Sequence, residues 1–466
     1  MTSHPTTFLD YGRLREAAET PPPTNADLQE IFDRALQLRG LSLGDAAALL
    51  NIADPSQRSR LLEAAARVKR KIYGPRMVLF APLYMGNHCS NNCLYCGFRR
   101  DNLNMPRRTL TMEELRREAE ALLRQGHKRL LLLSGESEQY PLDFIREGIA
   151  AAYSARHGSA GIRRINVELA PMETEEFREL KKCSIGTYTC FQETYDPELY
   201  ARYHPSGPKA DYRYRLEVMD RAMEGGIDDV GIGVLYGLAD YRFDTLAVMA
   251  HGAHLDDRYG CGPHTVSVPR LEPASGAPIS SSVPYPVDDE VFKQIVAVIR
   301  LTLPYTGIIL STRESREMRT ELFRYGVSQV SAGSRTSPGG YEEEDAAEKE
   351  RQEAQFSLGD HRTLEEVIAS LVEDGYIPSF CTGCYRRGRV GSDFMDLAKP
   401  GLIQQFCTPN AMLSFAEYLY DYARNDTCRR GLQLIEELKG EVPGESKRTL
   451  EDSLSRIATG ERDLFR

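Results

Sequence analysis

The chain has no apolar run approaching the ~20 residues that a membrane-spanning helix needs, so no transmembrane segment is expected. It has no basic excess either. Its 58 Lys and Arg face 68 Asp and Glu, and the net charge of −10 argues against a general nucleic-acid or membrane-surface binder, because those use basic faces. The opening stretch, MTSHPTTFLDYGRLREAAE, carries neither the basic nor the apolar region of a secretion signal, so a cytoplasmic protein is expected. Thiols stay reduced in that compartment, which argues against a disulfide framework. No G-x-G-x-x-G follows the first predicted strand, which counts against an open dinucleotide-binding sheet.

What is present is length and alternation. The 466 residues suggest about three units at roughly 150 residues each, and 41% apolar with 27% charged residues is ordinary for a globular protein. Residues 1–75 read as a helical region. NADLQEIFDRALQLRG predicts a helix with Asn25 as its cap and Gly40 at its end. From RMVLFAPLY (76–84) onward, apolar strands alternate with amphipathic helices. Further strands are predicted at HKRLLLLSGE, 163–170, 185–193, 228–237, 263–271, 306–314 and 327–334, and one of the intervening helices at 211–225. Continuous apolar strands separated by helices indicate a parallel sheet, and eight of them a closed TIM-type (β/α)8 barrel over 76–340. The stretch 334–353, SRTSPGGYEEEDAAEKERQE, reads as a solvated linker or surface helix. The remainder, 341–466, reads as a mainly helical C-terminal domain.

Six of the ten cysteines fall into two groups. NHCSNNCLYCGF holds Cys89, Cys93 and Cys96 as C-x3-C-x2-C, directly after the first strand. CTGCYRRGRVGSDFMDLAKPGLIQQFC holds Cys381, Cys384 and Cys407 as C-x2-C-x22-C. The spacing reads as metal or cluster binding. A closed zinc site wants a fourth Cys or His, and none is spaced to supply it. A 4Fe-4S cluster held by three thiolates keeps one iron open to a non-protein ligand. Structural zinc stays open as the alternative at the C-terminal group, because a C-x2-C pair serves both. Cys183, Cys190, Cys261 and Cys428 are expected to be small buried hydrophobes.

C-x3-C-x2-C with an aromatic before its last cysteine resembles the radical S-adenosylmethionine (SAM) superfamily. The resemblance implies a SAM-binding 4Fe-4S cluster on Cys89, Cys93 and Cys96, with Tyr95 or Phe98 against a flat cofactor ring. Ser134-Gly135-Glu136 is similar to the Gly-Gly-Glu element that contacts the SAM amino group, with Ser in place of the first Gly. Glu193 would hold ribose hydroxyls and Arg215 the SAM carboxylate. Gly233 and Leu235, in GIGVLYG, would line adenosine, the glycines allowing close backbone approach.

The C-terminal triplet together with GTYTCFQETY, HPSGPKADY, GPHTVSVPRL, ILSTRES and SAGS resembles the ThiH/HydG-like family, and within it the tyrosine lyases that mature FeFe-hydrogenase. That resemblance implies cleavage of L-tyrosine at Cα–Cβ to p-cresol and dehydroglycine, then carbon monoxide and cyanide. It implies an auxiliary 4Fe-4S cluster on Cys381, Cys384 and Cys407, bearing an additional labile iron ligated by His264 and bridged by free cysteine. The product would be an iron–carbonyl–cyanide synthon. Implied partners are a reducing donor such as ferredoxin or flavodoxin and the downstream hydrogenase maturation proteins, in an anaerobic or oxygen-protected cytoplasm, with no nucleic acid and no membrane. Arg313 would grip the tyrosine carboxylate, helped by Ser331 or Ser334. No residue is assignable as the base for the phenol proton. Two alternatives remain: a thiazole-type lyase that stops at dehydroglycine, and a non-catalytic iron–sulfur scaffold.

Overall fold

The computed structural model describes residues 8–342 and 353–466. The acid-rich run 343–352, where a linker or surface helix was expected, lies outside the described residues. The apolar run after Pro75 forms β1 (Arg76–Gly86). Around the ring follow β2 (Arg129–Ser134), β3 (Arg164–Glu168), β4 (Tyr188–Thr189), β5 (Val230–Gly233), β6 (Thr265–Ser267), β7 (Gly307–Leu310) and β8 (Gln329–Ser331). Each pairs in parallel with the next, and Leu79 of β1 lies opposite Val330 of β8, which closes an eight-stranded barrel. The β/α barrel is therefore as the alternation predicts. Most strands are shorter than their apolar runs, and β4 is only two residues long.

Successive side chains alternate between the faces of each strand. On β1, Leu79, Ala81 and Leu83 are fully buried in the core shared with the helices, while Phe80, Pro82 and Tyr84 face an interior cavity. Burying each Leu, Ile or Phe of that outer layer contributes about 1.5–3 kcal/mol. The helix Asp289–Thr302 packs on Pro55–Tyr73, so the N-terminal helices close one side of the barrel.

Five details differ from the sequence reading. The first predicted helix is capped by Thr24, whose side chain closes a capping box with Asp27; Asn25 is its first helical residue, and the helix ends at Ala35. Helix 211–225 is broken at Glu217 into Tyr212–Leu216 and Val218–Glu224, and the short first piece turns Arg215 inward, where its Nε donates to Phe191 O at 2.7 Å. A small antiparallel ribbon, Arg156–His157 with Ala160–Gly161, was not predicted. The C-terminal region contributes a strand as well as helices. β9 (Ile377–Ser379) pairs in parallel with the start of β1, Arg76 opposite Ile377. Cys190 and Cys261 are buried as expected, whereas Cys183 and Cys428 are only half-buried.

Candidate active site and a second cysteine site

The loop after β1 is folded back on itself by its own polar residues. Asn87 donates to Pro106 O and accepts from Arg108 N, both at 2.7 Å. Arg107 crosses the loop and donates to the carbonyls of Asn87, Phe98 and Arg99. Cys89, Cys93 and Cys96 lie inside this frame, at the C-terminal mouth of the barrel, where barrel enzymes keep their chemistry. Cys96 Sγ accepts from Gln355 Nε2 at 3.8 Å. Gly135 makes the frame possible: a Cβ there would lie 2.1 Å from His88 O. Ser90 N donates to Glu136 O at 2.7 Å, which ties the loop to the end of β2.

The polar groups predicted from separate segments converge here. Glu136 accepts from Asn91 Nδ2 at 2.8 Å and lies 3.7 Å from Arg215 Nη1. That Nη1 is buried and has no hydrogen-bond partner. Glu193 holds a left-handed backbone conformation (φ 69°), rare for a non-glycine residue. Its carboxylate meets Lys209 Nζ at 2.5 Å. Burial pushes the Glu193 pKa up, but Lys209 and Arg215 outweigh it and hold the carboxyl below its usual range. Lys209 is itself aligned by Asn91, whose Oδ1 accepts from its backbone N at 2.8 Å.

The mouth cavity has a volume of about 140 Å³, and Tyr95, Glu193, Leu235, Arg313, Ser331 and Ser334 are on its wall. Phe98 is not among its wall residues. It is buried against Tyr84, Met105 and Leu133, so it anchors the loop. The space beside Gly233 is filled by Ser267 O and Phe191, each within 3 Å of a built Cβ, so this glycine serves strand packing rather than an approach to a ligand. The Arg313 guanidinium lies over the Phe356 ring at 3.3 Å and, among the described residues, has no ion-pair partner. Ser334 Oγ is buried without a hydrogen bond.

The second triplet lies at the opposite end. Cys381 follows β9 by two residues, the short helix Gly383–Arg386 carries Cys384, and Gln404–Asp421 carries Cys407. With Arg76, Arg129, Asp229, His264 and Arg389 they line a cavity of about 40 Å³. The Cys384 thiol beside it holds the Cys407 pKa below its usual value, with the Arg76 cation acting in the same direction and burial opposing both. His264 Nδ1 lies 3.4 Å from Asp229 Oδ1. Arg76 Nε and Arg389 Nε are buried without hydrogen-bond partners, which suits a site that takes up anionic thiolates. Gln329 is on the wall of both cavities.

Among the described residues, no three or more His, Cys, Asp or Glu side chains converge as a ligand set for one metal ion. Three thiols at each site suit a cluster in which three of the irons each take one thiolate. The donor sets therefore fit a three-cysteine cluster at each end. The orphaned Arg215 Nη1 and the Glu136 carboxylate fit the carboxylate and amino group of SAM. Sequence reasoning missed Lys209, Asn91, Glu168, Asp229 and Gln355. HPSGPKADY had drawn notice, but nothing local pairs its lysine with Glu193.

A barrel with a three-cysteine loop at its C-terminal mouth defines a radical SAM enzyme. Residues 83–249 match the model of the radical SAM superfamily, and residues 267–377 that of the biotin and thiamin synthesis associated domain. A crystal structure of HydG, a maturase of the [FeFe]-hydrogenase, superposes with a TM-score of 0.95 at 45% identity and covers 99% of this chain and 100% of that one. The HydG of Carboxydothermus hydrogenoformans gives 0.81 at 42% identity, over 95% and 96% of the two chains. The 2-iminoacetate synthase of Escherichia coli K12 is 34% identical over 374 residues, 80% of this chain and 95% of its own length. The chain belongs to the ThiH/HydG-like family of radical SAM enzymes. Among its described residues, no helix is long and apolar enough to cross a membrane.

Proposed function

We propose that this chain is an L-tyrosine lyase that cleaves Cα–Cβ to p-cresol and dehydroglycine, and then converts dehydroglycine to carbon monoxide and cyanide on an iron held at its second cysteine site. The observation that carries this reading is the second triplet. Cys381, Cys384 and Cys407 lie at the barrel end opposite the first, with His264 on the same wall and Asp229 behind its ring. A carboxylate 3.4 Å from the His264 ring nitrogen, which has no hydrogen bond of its own, is placed to orient that ring toward a metal. The match to 2-iminoacetate synthase leaves a fifth of the chain unaccounted for, whereas the HydG structure covers nearly all of it.

When bound at Cys89, Cys93 and Cys96, the reduced 4Fe-4S cluster and SAM supply the 5′-deoxyadenosyl radical that takes a hydrogen atom from the substrate. The chain's own residues orient the reactants. Arg215 Nη1 holds the SAM carboxylate, Glu136 its amino group, and Glu193, kept ionised by Lys209, its ribose. Arg313 grips the tyrosine carboxylate through a guanidinium already stacked on Phe356, and Ser334 Oγ, with Ser331 beside it, offers a hydroxyl. The apolar wall formed by Phe80, Leu131, Leu133 and Ile309 excludes water from the reacting centre. At the other end, His264 and a free cysteine would hold the labile iron beside Cys381, Cys384 and Cys407, and that iron would take up carbon monoxide and cyanide as a synthon for hydrogenase maturation. A ferredoxin- or flavodoxin-type donor supplies the electron.

The test is an anaerobic assay of reconstituted protein with SAM, tyrosine, dithionite and deoxymyoglobin, following p-cresol and the carbonyl-myoglobin spectrum together. Both signals are expected. p-Cresol alone means the thiazole-type lyase, and the absence of both signals overturns the tyrosine assignment.

A further inference from the structure

Glu168 is a carboxyl group that the fold does not use. It ends β3 and lines the mouth cavity. Among the described residues it has no hydrogen-bond or ion-pair partner on its side chain. Burial raises its pKa to about 7 and the Glu193 carboxylate adds to this, while Lys209, Arg313 and Arg215 pull the other way without overcoming it. Glu193 is displaced in the opposite direction by its contact with Lys209. One cavity thus holds a fixed anion and a second carboxyl that gains and loses its proton near neutrality. Two groups pushed apart in this way mark an acid–base assignment.

The barrel order identifies what faces it. Arg313 follows β7, and β3 and β7 are four strands apart in either direction around the closed ring, so they face each other across the mouth. An amino acid held by its carboxylate at Arg313 points its far end toward Glu168. With tyrosine as substrate, on which this inference rests, that end is the phenol.

We propose that Glu168 accepts the phenolic hydrogen bond of tyrosine and is the base that removes this proton as Cα–Cβ breaks. The phenol O–H bond breaks, the proton bonds to a Glu168 carboxylate oxygen, and the O–H electron pair stays on the phenolic oxygen, delocalised into the ring. No electron enters or leaves. A phenol near pKa 10 is about three units weaker as an acid than Glu168, roughly a thousandfold at equilibrium, so the transfer accompanies bond cleavage rather than preceding it. The same contact discriminates against phenylalanine, which leaves a buried acceptor without a donor.

The experiment compares wild type, E168Q and E168L as reconstituted holoenzymes. Wild-type kcat/KM for tyrosine, followed as p-cresol formed, should rise with pH through about 7, where Glu168 becomes a carboxylate. E168Q should lose that limb and about 10²-fold or more in kcat. 5′-Deoxyadenosine release should persist in E168Q, which shows an intact SAM site. 3,5-Difluorotyrosine, with its more acidic phenol, should recover at least ~10-fold of the loss in E168Q and gain little in wild type. A readout independent of turnover is calorimetry with SAM present. Wild type should prefer L-tyrosine to L-phenylalanine, and E168L should erase that preference. Near-wild-type turnover by E168Q, or an equal loss on tyrosine and its fluorinated analogue, overturns the proposal. Absence of p-cresol from the wild type itself overturns the tyrosine reading and this inference with it.

Discussion

Replacing Gly135 by alanine should empty the SAM-side cluster site and leave the other intact. The backbone of Gly135 is not left-handed, so the cost is one of space. The new Cβ would lie 2.1 Å from His88 O, 2.9 Å from His88 C and 3.2 Å from Cys89 Cβ. A carbonyl cannot swing aside like the end of a side chain, and His88 must retreat by about 0.9 Å to reach the 3.0 Å floor of real Cβ contacts. Passed on to Ser90, that shift takes its 2.7 Å bond to Glu136 O beyond hydrogen-bond range. Overpacking against backbone costs about 1–3 kcal/mol, roughly 10- to 100-fold in retention of a group held by the displaced loop. Iron and sulfide per chain after anaerobic reconstitution should fall by about half, and the SAM-induced change in the electron paramagnetic resonance signal should disappear. Gly12→Ala, whose Cβ meets only Asp10 at an ordinary 3.5 Å, is the control. A fully loaded, SAM-responsive G135A protein would refute the claim that this glycine sets the loop.

Cys381→Ser should abolish carbonyl-myoglobin formation and spare p-cresol; loss of both would place the C-terminal cysteines upstream of tyrosine cleavage. Lys209→Met removes the cation that holds the Glu193 carboxyl low, so SAM affinity by equilibrium dialysis should drop about 10- to 100-fold, with the residual binding lost at a higher pH than in wild type as Glu193 protonates. Arg319 is fully buried, 2.6 Å from Asp360, and donates to Ser331 O, so Arg319→Ala should cost about 3–5 kcal/mol. The Asp360 pKa is lowered on folding, so its stabilisation is present above the unfolded value and lost as pH falls through the folded one; melts should therefore show the wild-type advantage shrinking below about pH 4. Gly307→Ala brings a methyl to 2.2 Å from Gln329 Nε2 and pushes that amide across the barrel, so carbon monoxide formed per p-cresol should fall, and an unchanged ratio would count against an internal route between the cavities.

The cysteine triplets and the barrel were legible because both are written in short-range spacing. Ligands to one cluster recur within a loop, and strand and helix periods show over a few residues. The pairs that make the site work are set by barrel register instead. Glu193 meets Lys209 across 16 residues, His264 meets Asp229 across 35, and Glu168 faces Arg313 only because the ring closes with an even number of strands. Phe98 misled for a related reason. Its position in YCGF fits a cofactor-facing ring, but the loop folds it onto Tyr84, and nothing local encodes that turn. The cap at Thr24 was legible in principle, since T-x-x-D is a capping box.

One element explains why the two cysteine sites stand at opposite ends. β1 has 11 residues, the longest strand of the barrel, and at about 3.3 Å per residue it spans roughly 33 Å. Its C-terminal end runs into the loop of Cys89, Cys93 and Cys96. Its N-terminal end pairs with β9, two residues before Cys381, and Arg76 at that end lines the second cavity. A single strand therefore fixes both sites to one rigid body. Between them the barrel interior carries the polar side chains Asn166, Thr189, Thr265 and Gln329 beside the apolar wall, with glycines at 231 and 307 where larger side chains would clash. TIM barrels ordinarily fill this space with branched apolar layers. Thr, Asn, Gln and Gly at these positions give up some of that apolar packing, and Gln329 is on the wall of both cavities; the Gly307→Ala variant tests whether a small product passes from one to the other.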